Sequence, residues 1–317
     1  MTTAPTHGSP AVRASCDQWS RLDVLLRSGG MARMRFVTPD DEPALRALNA
    51  RVSLRTRMLR YFSASDKPGD WYVDHVMRSA RTGDALVALV DGEVVAVASF
   101  FRLASDPAVG DLALLVDDDH QDEGLGALLL EHLAHVARQQ GITAFSADVL
   151  LENDAMLRLL KDSGFATTSH TSLGVREVRI DLALRPQVWD ALRRRDAEAE
   201  RASLRAVFAP TSVVVVGSTR GGSVADQVHQ ALQTGGYIGE LRRVRRQDPL
   251  TGPVDLVVVA VVAEHVLEVA EKAAKAGAKG LLVLSAGFAE SGPAGAGLQD
   301  ELLALCRTAG VRLVGPN

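Results

Sequence analysis

Apolar residues recur along this chain with two different periods, and the periods change at one place. In the first half, short apolar runs at Met34–Val37, Ala85–Val90, Val94–Phe101, Gly110–Val116 and Phe145–Leu150 read as strands. Between them, helical spacing appears over Asp40–Ala50, Trp71–Ala80 and Leu125–Gln140, the last carrying Leu125, Leu128, Leu129, Leu133 and Val136 on one face. Asn153, Met156 and Leu157 open a further helix that closes at Gly164-Phe165, a glycine C-terminus. The order predicts a mixed α+β layer.

From Arg185 to Ala209 the pattern gives way to charge: Arg193-Arg194-Arg195-Asp196-Ala197-Glu198-Ala199-Glu200-Arg201 favours a helix but offers little to bury. This predicts a helical linker. Beyond it strand and helix alternate regularly. The β-branched run Ser212–Val216 suits a strand covered on both faces, and Val254–Val261, Leu281–Ser285 and Val311–Val314 follow it. Helices are expected over Val224–Thr234, Ala263–Ala276 and Leu298–Ala309, so this half should be a doubly wound parallel sheet. The expected division is an extension over 1–31, a first domain over 32–184, a linker over 185–209 and a second domain over 210–317.

A length of 317 residues accommodates two such domains, and a net charge of -4 gives no electrostatic footprint for nucleic acid. The longest apolar runs are far short of the roughly 18 residues that span a bilayer, and the first thirty residues hold no secretory signal pattern. Cys16 and Cys306 stand far apart and read as ordinary thiols. A cytoplasmic protein without membrane or nucleic-acid partners is expected.

The richest chemical signal lies between the strand at Gly110–Val116 and the long helix: Gln121-Asp122-Glu123-Gly124-Leu125-Gly126-Ala127. A turn of this kind aims successive N–H groups outward at a helix start, where the helix dipole adds positive potential, and its glycines let an anion come close. It suits a pyrophosphate. His120, His132 and His135 lie near it, but no carboxylate or Cys completes a zinc-like spacing with them, so no metal is expected. Arg57 and Arg60 read either as contacts for an acidic substrate face or as solvent-exposed helix residues.

Strand, Q-x-x-G-x-G, helix, strand, Glu152-Asn153-x-x-Met156 and Gly164-Phe165, in that order, resemble the GNAT acetyltransferases over roughly Ala32 to Leu182. In the second half, S-V-V-V-V-G-S-T-R at Ser212–Arg220, the turn Gly235-Gly236-Tyr237-Ile238-Gly239, Ser285-Ala286-Gly287-Phe288-Ala289-Glu290 and Gly315-Pro316-Asn317 resemble the CoA-binding domain of NDP-forming acyl-CoA synthetases. This half departs from that pattern at Val244-Arg245-Arg246, Val262 and Ala225. The fusion resembles bacterial protein lysine acetyltransferases that act on acyl-CoA synthetases, and so does the segment from Met34 to Asp41 with Arg57-Met58-Leu59-Arg60-Tyr61-Phe62.

The fold implied is a GNAT mixed α+β domain followed by a Rossmann-like parallel-sheet domain. The resemblance implies acetyl-CoA as cosubstrate, with Leu114, Val116, the turn Gln121, Asp122, Glu123, Gly124, Leu125, Gly126 and Ala127, and Asn153 and Met156 around it. Asn153 also reads as the N-cap of its helix. Asp111 stands where such enzymes commonly have a Glu on the strand before the turn, and would act as general base through a water. Backbone N–H groups near Leu114 would meet the oxyanion, and because Ala155–Lys161 holds no Tyr, water would protonate the thiolate. In the second domain Gly217, Ser218, Thr219, Arg220 and Ser223 form a candidate loop for CoA or a related nucleotide, in a regulatory, sensing or vestigial role. No ligase chemistry is expected of it. The acceptor stays open: lysines of proteins such as acyl-CoA synthetases, a small-molecule amine, or none at all in a CoA-sensing adaptor.

Overall fold

A computed structural model describes residues 22–79, 84–252 and 254–316. The described residues divide into two compact units, one within 22–26 and 32–197, the other within 27–31 and 198–316.

The first unit is built on an eight-stranded sheet. β1 (Leu22–Leu25) and β2 (Met31–Phe36) lead into three helices, α1 (Glu42–Arg51), α2 (Leu54–Tyr61) and α3 (Lys67–Ser79). β3 (Ala85–Val90), β4 (Glu93–Arg102) and β5 (Val109–Val116) form an antiparallel meander, followed by α4 (Leu125–Gln139), β6 (Ala144–Leu150) and α5 (Asp154–Asp162). A hairpin, β7 (Ala166–Ser172) and β8 (Val175–Asp181), turns at Leu173-Gly174, both with positive φ, and closes the sheet in the order β1-β2-β3-β4-β5-β6-β8-β7.

Alternation along the strands sorts side chains to two cores. Leu112 joins Leu125, Leu129, Leu133 and Phe145 under α4, whereas Ala113 and Leu115 join Leu45, Leu48, Tyr72 and Val76 under α1 and α3. β5 therefore has a covered face on either side. Its pairing is unequal: β4 matches it from Gly110 to Val116, but β6 pairs with it, in parallel, only at Val109–Asp111 against Ala144–Ser146. Past Asp111 the two parallel strands diverge.

α6 (Pro186–Phe208) begins in the first unit and ends in the second. The expected linker offered little to bury, yet this helix buries Val188, Ala191 and Ala199 along one stripe, and Val188 belongs to the core beneath α4. Charge on the exposed face hid the stripe, because its buried members are mostly alanines. Arg195, four residues from both Ala191 and Ala199, lies on the stripe itself and is ion-paired with the half-buried Glu131 of α4 and with Asp196. β1 likewise falls within the stretch expected to be an extension.

The second unit is a five-stranded, all-parallel sheet in the order β10-β9-β11-β12-β13, formed by β9 (Ser212–Gly217), α7 (Val224–Thr234), β10 (Glu240–Val244), β11 (Leu256–Ala260), α8 (Val266–Lys275), β12 (Gly280–Val283), α9 (Pro293–Thr308) and β13 (Arg312–Val314). Every residue of β9 is buried, as its unbroken apolar run requires of a strand covered by helices on both faces. Among the described residues no helix is long and apolar enough to cross a membrane. Cys306 is buried, and burial pushes its thiol up to about 11, which leaves it protonated at neutral pH; Cys16 lies outside the described residues.

Candidate active site

The divergence of β5 from β6 leaves one strand edge without a neighbour. In the antiparallel ladder with β4, the carbonyl of Val109 accepts from Leu103 N (2.9 Å) and the N–H of Asp117 donates to Val95 O (2.8 Å), so odd-numbered residues bond toward β4. Even-numbered residues bond toward β6 where it is matched, the Asp111–Ser146 pair taking up the N–H of Leu112, so that beyond it the C=O of Leu112 and the N–H and C=O groups of Leu114 and Val116 face the gap. Gln121 Nε2 reaches the Val116 carbonyl on that side at 3.4 Å. Leu114 and Val116, expected at a ligand, thus share this edge with Leu112, which the sequence did not single out.

At the wide end of the gap stands the turn before α4. Asp122 (φ 63°) and Gly124 (φ 89°) both take the left-handed conformation, and Gly124 N-caps α4 without any side chain accepting from the helix start. The contrast with the neighbouring helices is informative. Ser53 accepts from Thr56 N at 3.2 Å to cap α2, and Asn153 Oδ1 accepts from Met156 N at 3.1 Å to cap α5. α4 leaves its first N–H groups to a ligand or water.

The two glycines of the turn have different roles. A Cβ on Gly124 would meet nothing within 4 Å, so its face is open to an approaching group, whereas a Cβ on Gly126 would stand 2.6 Å from Leu159 Cδ1. Gly126 also faces α5, at the movable tip of Leu159, beside the anion approach expected of its backbone.

Two acids beside the turn, Asp117 and Asp118, are tied off. Asp117 accepts from Arg51, and Asp118 accepts from Ser53 N (2.6 Å), Ser53 Oγ (2.8 Å) and Thr56 Oγ1 (2.6 Å). Burial alone would raise the Asp118 carboxyl, but the hydrogen bonds from Thr56 and Ser53 outweigh it and hold the group below its ordinary range. Gln121 Nε2 adds a bond to Thr56 Oγ1 at 3.2 Å, and His120 Nδ1 lies 3.1 Å from Glu123 Oε2.

Asp111 marks the apex of the divergence: it is the last residue of β5 that β6 matches, opposite Ser146, and it faces Phe101 across β4. It opens to solvent through the cleft, yet its carboxylate is set among enough protein to be partly desolvated. That burial raises its pKa, repulsion from Asp148 adds to the rise, and Arg60 works against it. Arg60 is held at 4.9 Å over the ring of Tyr61 and 4.7 Å over that of Tyr72. Tyr72 Oη lies 2.9 Å from Ser99 Oγ, and Tyr61 donates to Asn49 Oδ1. Arg57 is spent on Asp66 and on the carbonyls of Ala50 and Val52 (both 3.3 Å), so neither arginine is a freely solvated helix residue.

His132 and His135 are half-buried on α4, and burial, then Arg195 and His135, lower the His132 pKa to about 4. Among the described residues no three His, Cys, Asp or Glu side chains are grouped to hold a metal. A separate cavity of about 420 Å³, lined by Leu157, Arg158, Lys161 and Phe165 among others, includes neither Asp111 nor the turn.

The loop after β9 in the second unit is organised from within. Ser223 Oγ accepts from Asp226 N (3.2 Å) to cap α7 and lies 2.8 Å from both Ser218 O and Arg220 O as donor. Asp226 accepts from Gly222 N at 2.8 Å and pairs with Arg243 of β10. Gly217 is needed for packing: a Cβ there would stand 2.7 Å from Ala225 Cβ and from Ala260 O. Ser218 Oγ accepts from Arg220 N at 3.3 Å, while Thr219 and Arg220 are exposed.

Both halves have counterparts among known proteins. Residues 52–165 match the acetyltransferase (GNAT) family, and residues 211–317 match the CoA binding domain family. The acetyltransferase Pat of Mycolicibacterium smegmatis is 28% identical over 196 residues, 59% of this chain and 57% of that protein. The ADP-forming acetate–CoA ligase II of Archaeoglobus fulgidus is 30% identical over 128 residues, 36% of this chain and 19% of that enzyme. The GNAT domain of S. lividans PAT is 32% identical, covering 52% of this chain and 97% of that structure with a TM-score of 0.46. The chain thus spans between about a fifth and somewhat over half of the two full-length relatives. Residues 52–165 thus match a GNAT-family domain, and a domain matching the CoA-binding family follows it.

Proposed function

We propose that this chain is an acetyl-CoA-dependent N-acetyltransferase whose acceptor is a lysine side chain of a protein, with acyl-CoA synthetases as candidate substrates. The observation that carries the reading is the divergence of β5 from β6 at Asp111, which sets a carboxylate at the apex of an unpaired strand edge. The groups available fit the cosubstrate: uncapped N–H donors at the start of α4 and Gly124 for the pyrophosphate, the edge of Leu112, Leu114 and Val116 for the amides of the pantetheine arm, and Asn153 and Met156 where that arm passes α5.

A lysine amine with a pKa near 10.4 is mostly protonated at neutral pH and must lose a proton before it attacks a thioester. Asp111 takes that proton, directly or through a water. Arg60 lends positive potential that disfavours the ammonium form nearby. N–H groups of the unpaired edge meet the negative charge that develops on the acetyl oxygen, and they are preorganised because β4 fixes the strand from its other side. The second domain is assigned a regulatory part rather than a chemical one. Its loop already holds the carboxylate of Asp226 near where a phosphate would sit, which favours weak binding of CoA or a related nucleotide.

Incubating the protein with acetyl-CoA and a purified acyl-CoA synthetase, then mapping acetyl-lysine by mass spectrometry, tests the assignment. New acetyl-lysine that disappears with Asp111→Asn supports it. Acetyl-CoA binding without acetylation of any protein lysine would overturn it in favour of a small amine acceptor or an adaptor.

A further inference from the structure

Trp71 is the large exposed aromatic of α3, 62% accessible, and it does not swing freely. Its ring stacks on His75, one helical turn on, with centroids 5.2 Å apart and planes 23° from parallel. His75 in turn meets the edge of Phe101, at 4.1 Å and 85°. Phe101 is the residue of β4 directly opposite Asp111, on the same face of the sheet. Three rings therefore run in a row from the protein surface to the carboxylate.

The chemistry of such a row is specific. Rigid rings fixed against one another present apolar area at little entropic cost, and a Trp face attracts both methylene chains and cations. Core packing does not account for the outermost ring: α3 already buries Tyr72, Val73 and Val76 beneath it, while Trp71 adds surface that water must solvate. The neighbouring helix α2 likewise leaves Leu54, one turn from Met58, 59% accessible. An exposed, immobilised aromatic at the mouth of a site is what a recognition anchor requires.

We propose that Trp71, held by His75 and Phe101, is the positioning residue for the acceptor: it grips the polypeptide flanking the lysine, while Phe101 and His75 line the path of the side chain toward Asp111. This rests on the reading of Asp111 as the base. The partner implied is an extended or loop segment carrying a lysine, rather than a compact amine metabolite, because a small amine held at Asp111 would leave the outer ring uncovered.

Two probes separate the possibilities: a short peptide with a single lysine, and Nα-acetyl-lysine amide, which has the side chain without flanking residues. For the full chain carrying Trp71→Ala, KM for the peptide is expected to rise about tenfold with kcat changed less than twofold. KM for the amide and the affinity for acetyl-CoA should be unchanged, and Trp71→Phe should restore most of the peptide affinity. A peptide KM unaffected by Trp71→Ala, or one that rises equally for the amide, overturns the proposal, as does failure of the unaltered protein to acetylate either probe. Asp111→Asn run in parallel distinguishes the layers: loss of kcat with Trp71→Ala silent removes the anchor and keeps the base, whereas retained kcat removes the base on which the anchor depends.

Discussion

Replacing Asp111 by Asn keeps the outline of the side chain and removes its ability to accept a proton. A positioned general base contributes about a hundredfold to ten-thousandfold, so kcat should fall by that order while acetyl-CoA affinity, measured by calorimetry, stays put. The sign of the pH effect follows from the direction of the shift. Burial and Asp148 raise the Asp111 pKa, so the protonated, inactive form persists to higher pH than for an ordinary carboxylate, and kcat/KM should lose activity on the acid side at a correspondingly higher pH. Asp148→Asn removes one contribution and should move that limb to lower pH. A limb that stays in place after both substitutions would mean that another group titrates. His132 gives a second test, in stability. Its pKa is depressed to about 4, so the neutral ring's contribution is complete above about 6.5 and is lost as pH falls from there toward 4. Thermal denaturation of His132→Gln should show less loss over that window than the unaltered protein.

Elements decide what each glycine of the turn is for, and the sequence could not tell them apart. Q-x-x-G-x-G located the turn, but only the approach of α5 shows that Gly126 faces Leu159 while Gly124 faces open space. Gly124→Asp should therefore raise the Kd for acetyl-CoA by tenfold or more, since it sets a charge beside the donors, and lower stability by about 1 kcal/mol for its left-handed φ. Gly126→Ala meets only the movable tip of Leu159 and should change stability little, which a pair of melting curves can check. The strands and helices with clean periodicity were legible to within a few residues, as with β3 and α7, whose expected and observed limits coincide. The hairpin of β7 and β8 was not. Ala-Thr-Thr-Ser-His-Thr-Ser carries hardly any apolar signal because β7 is an exposed edge strand. The parts of the site that escaped notice, Thr56 beneath Asp118 and Trp71, His75 and Phe101 beside Asp111, lie far apart in sequence. Only the i,i+4 spacing of Trp71 and His75 hinted that any of them act together.

At the scale of the whole molecule, α6 determines where the chain can be cut. Val188 belongs to the core under α4, and a Cβ on Gly164 would stand 2.4 Å from Gln187 O, so the first unit needs the start of that helix. A chain ending near Ala197 should melt cooperatively and bind acetyl-CoA, whereas one ending at Leu182 should melt well below it; equal melting temperatures would show that α6 is dispensable. If the second unit responds to CoA, its removal should change how CoA inhibits transfer, because regulation needs unequal affinity for two states. The eight-stranded sheet meanwhile contains its own seam. Two half-sheets, β1 to β5 and β6 to β8, are stitched together by three residue pairs that end at Asp111, and on the proposed function the cosubstrate lies along the edge beyond them. Acetyl-CoA would then finish the architecture as well as enter the reaction. Its arrival should slow amide hydrogen exchange at Leu114 and Val116 while leaving Ala113 and Leu115, already fastened to β4, and Leu112, already fastened to β6, as they were.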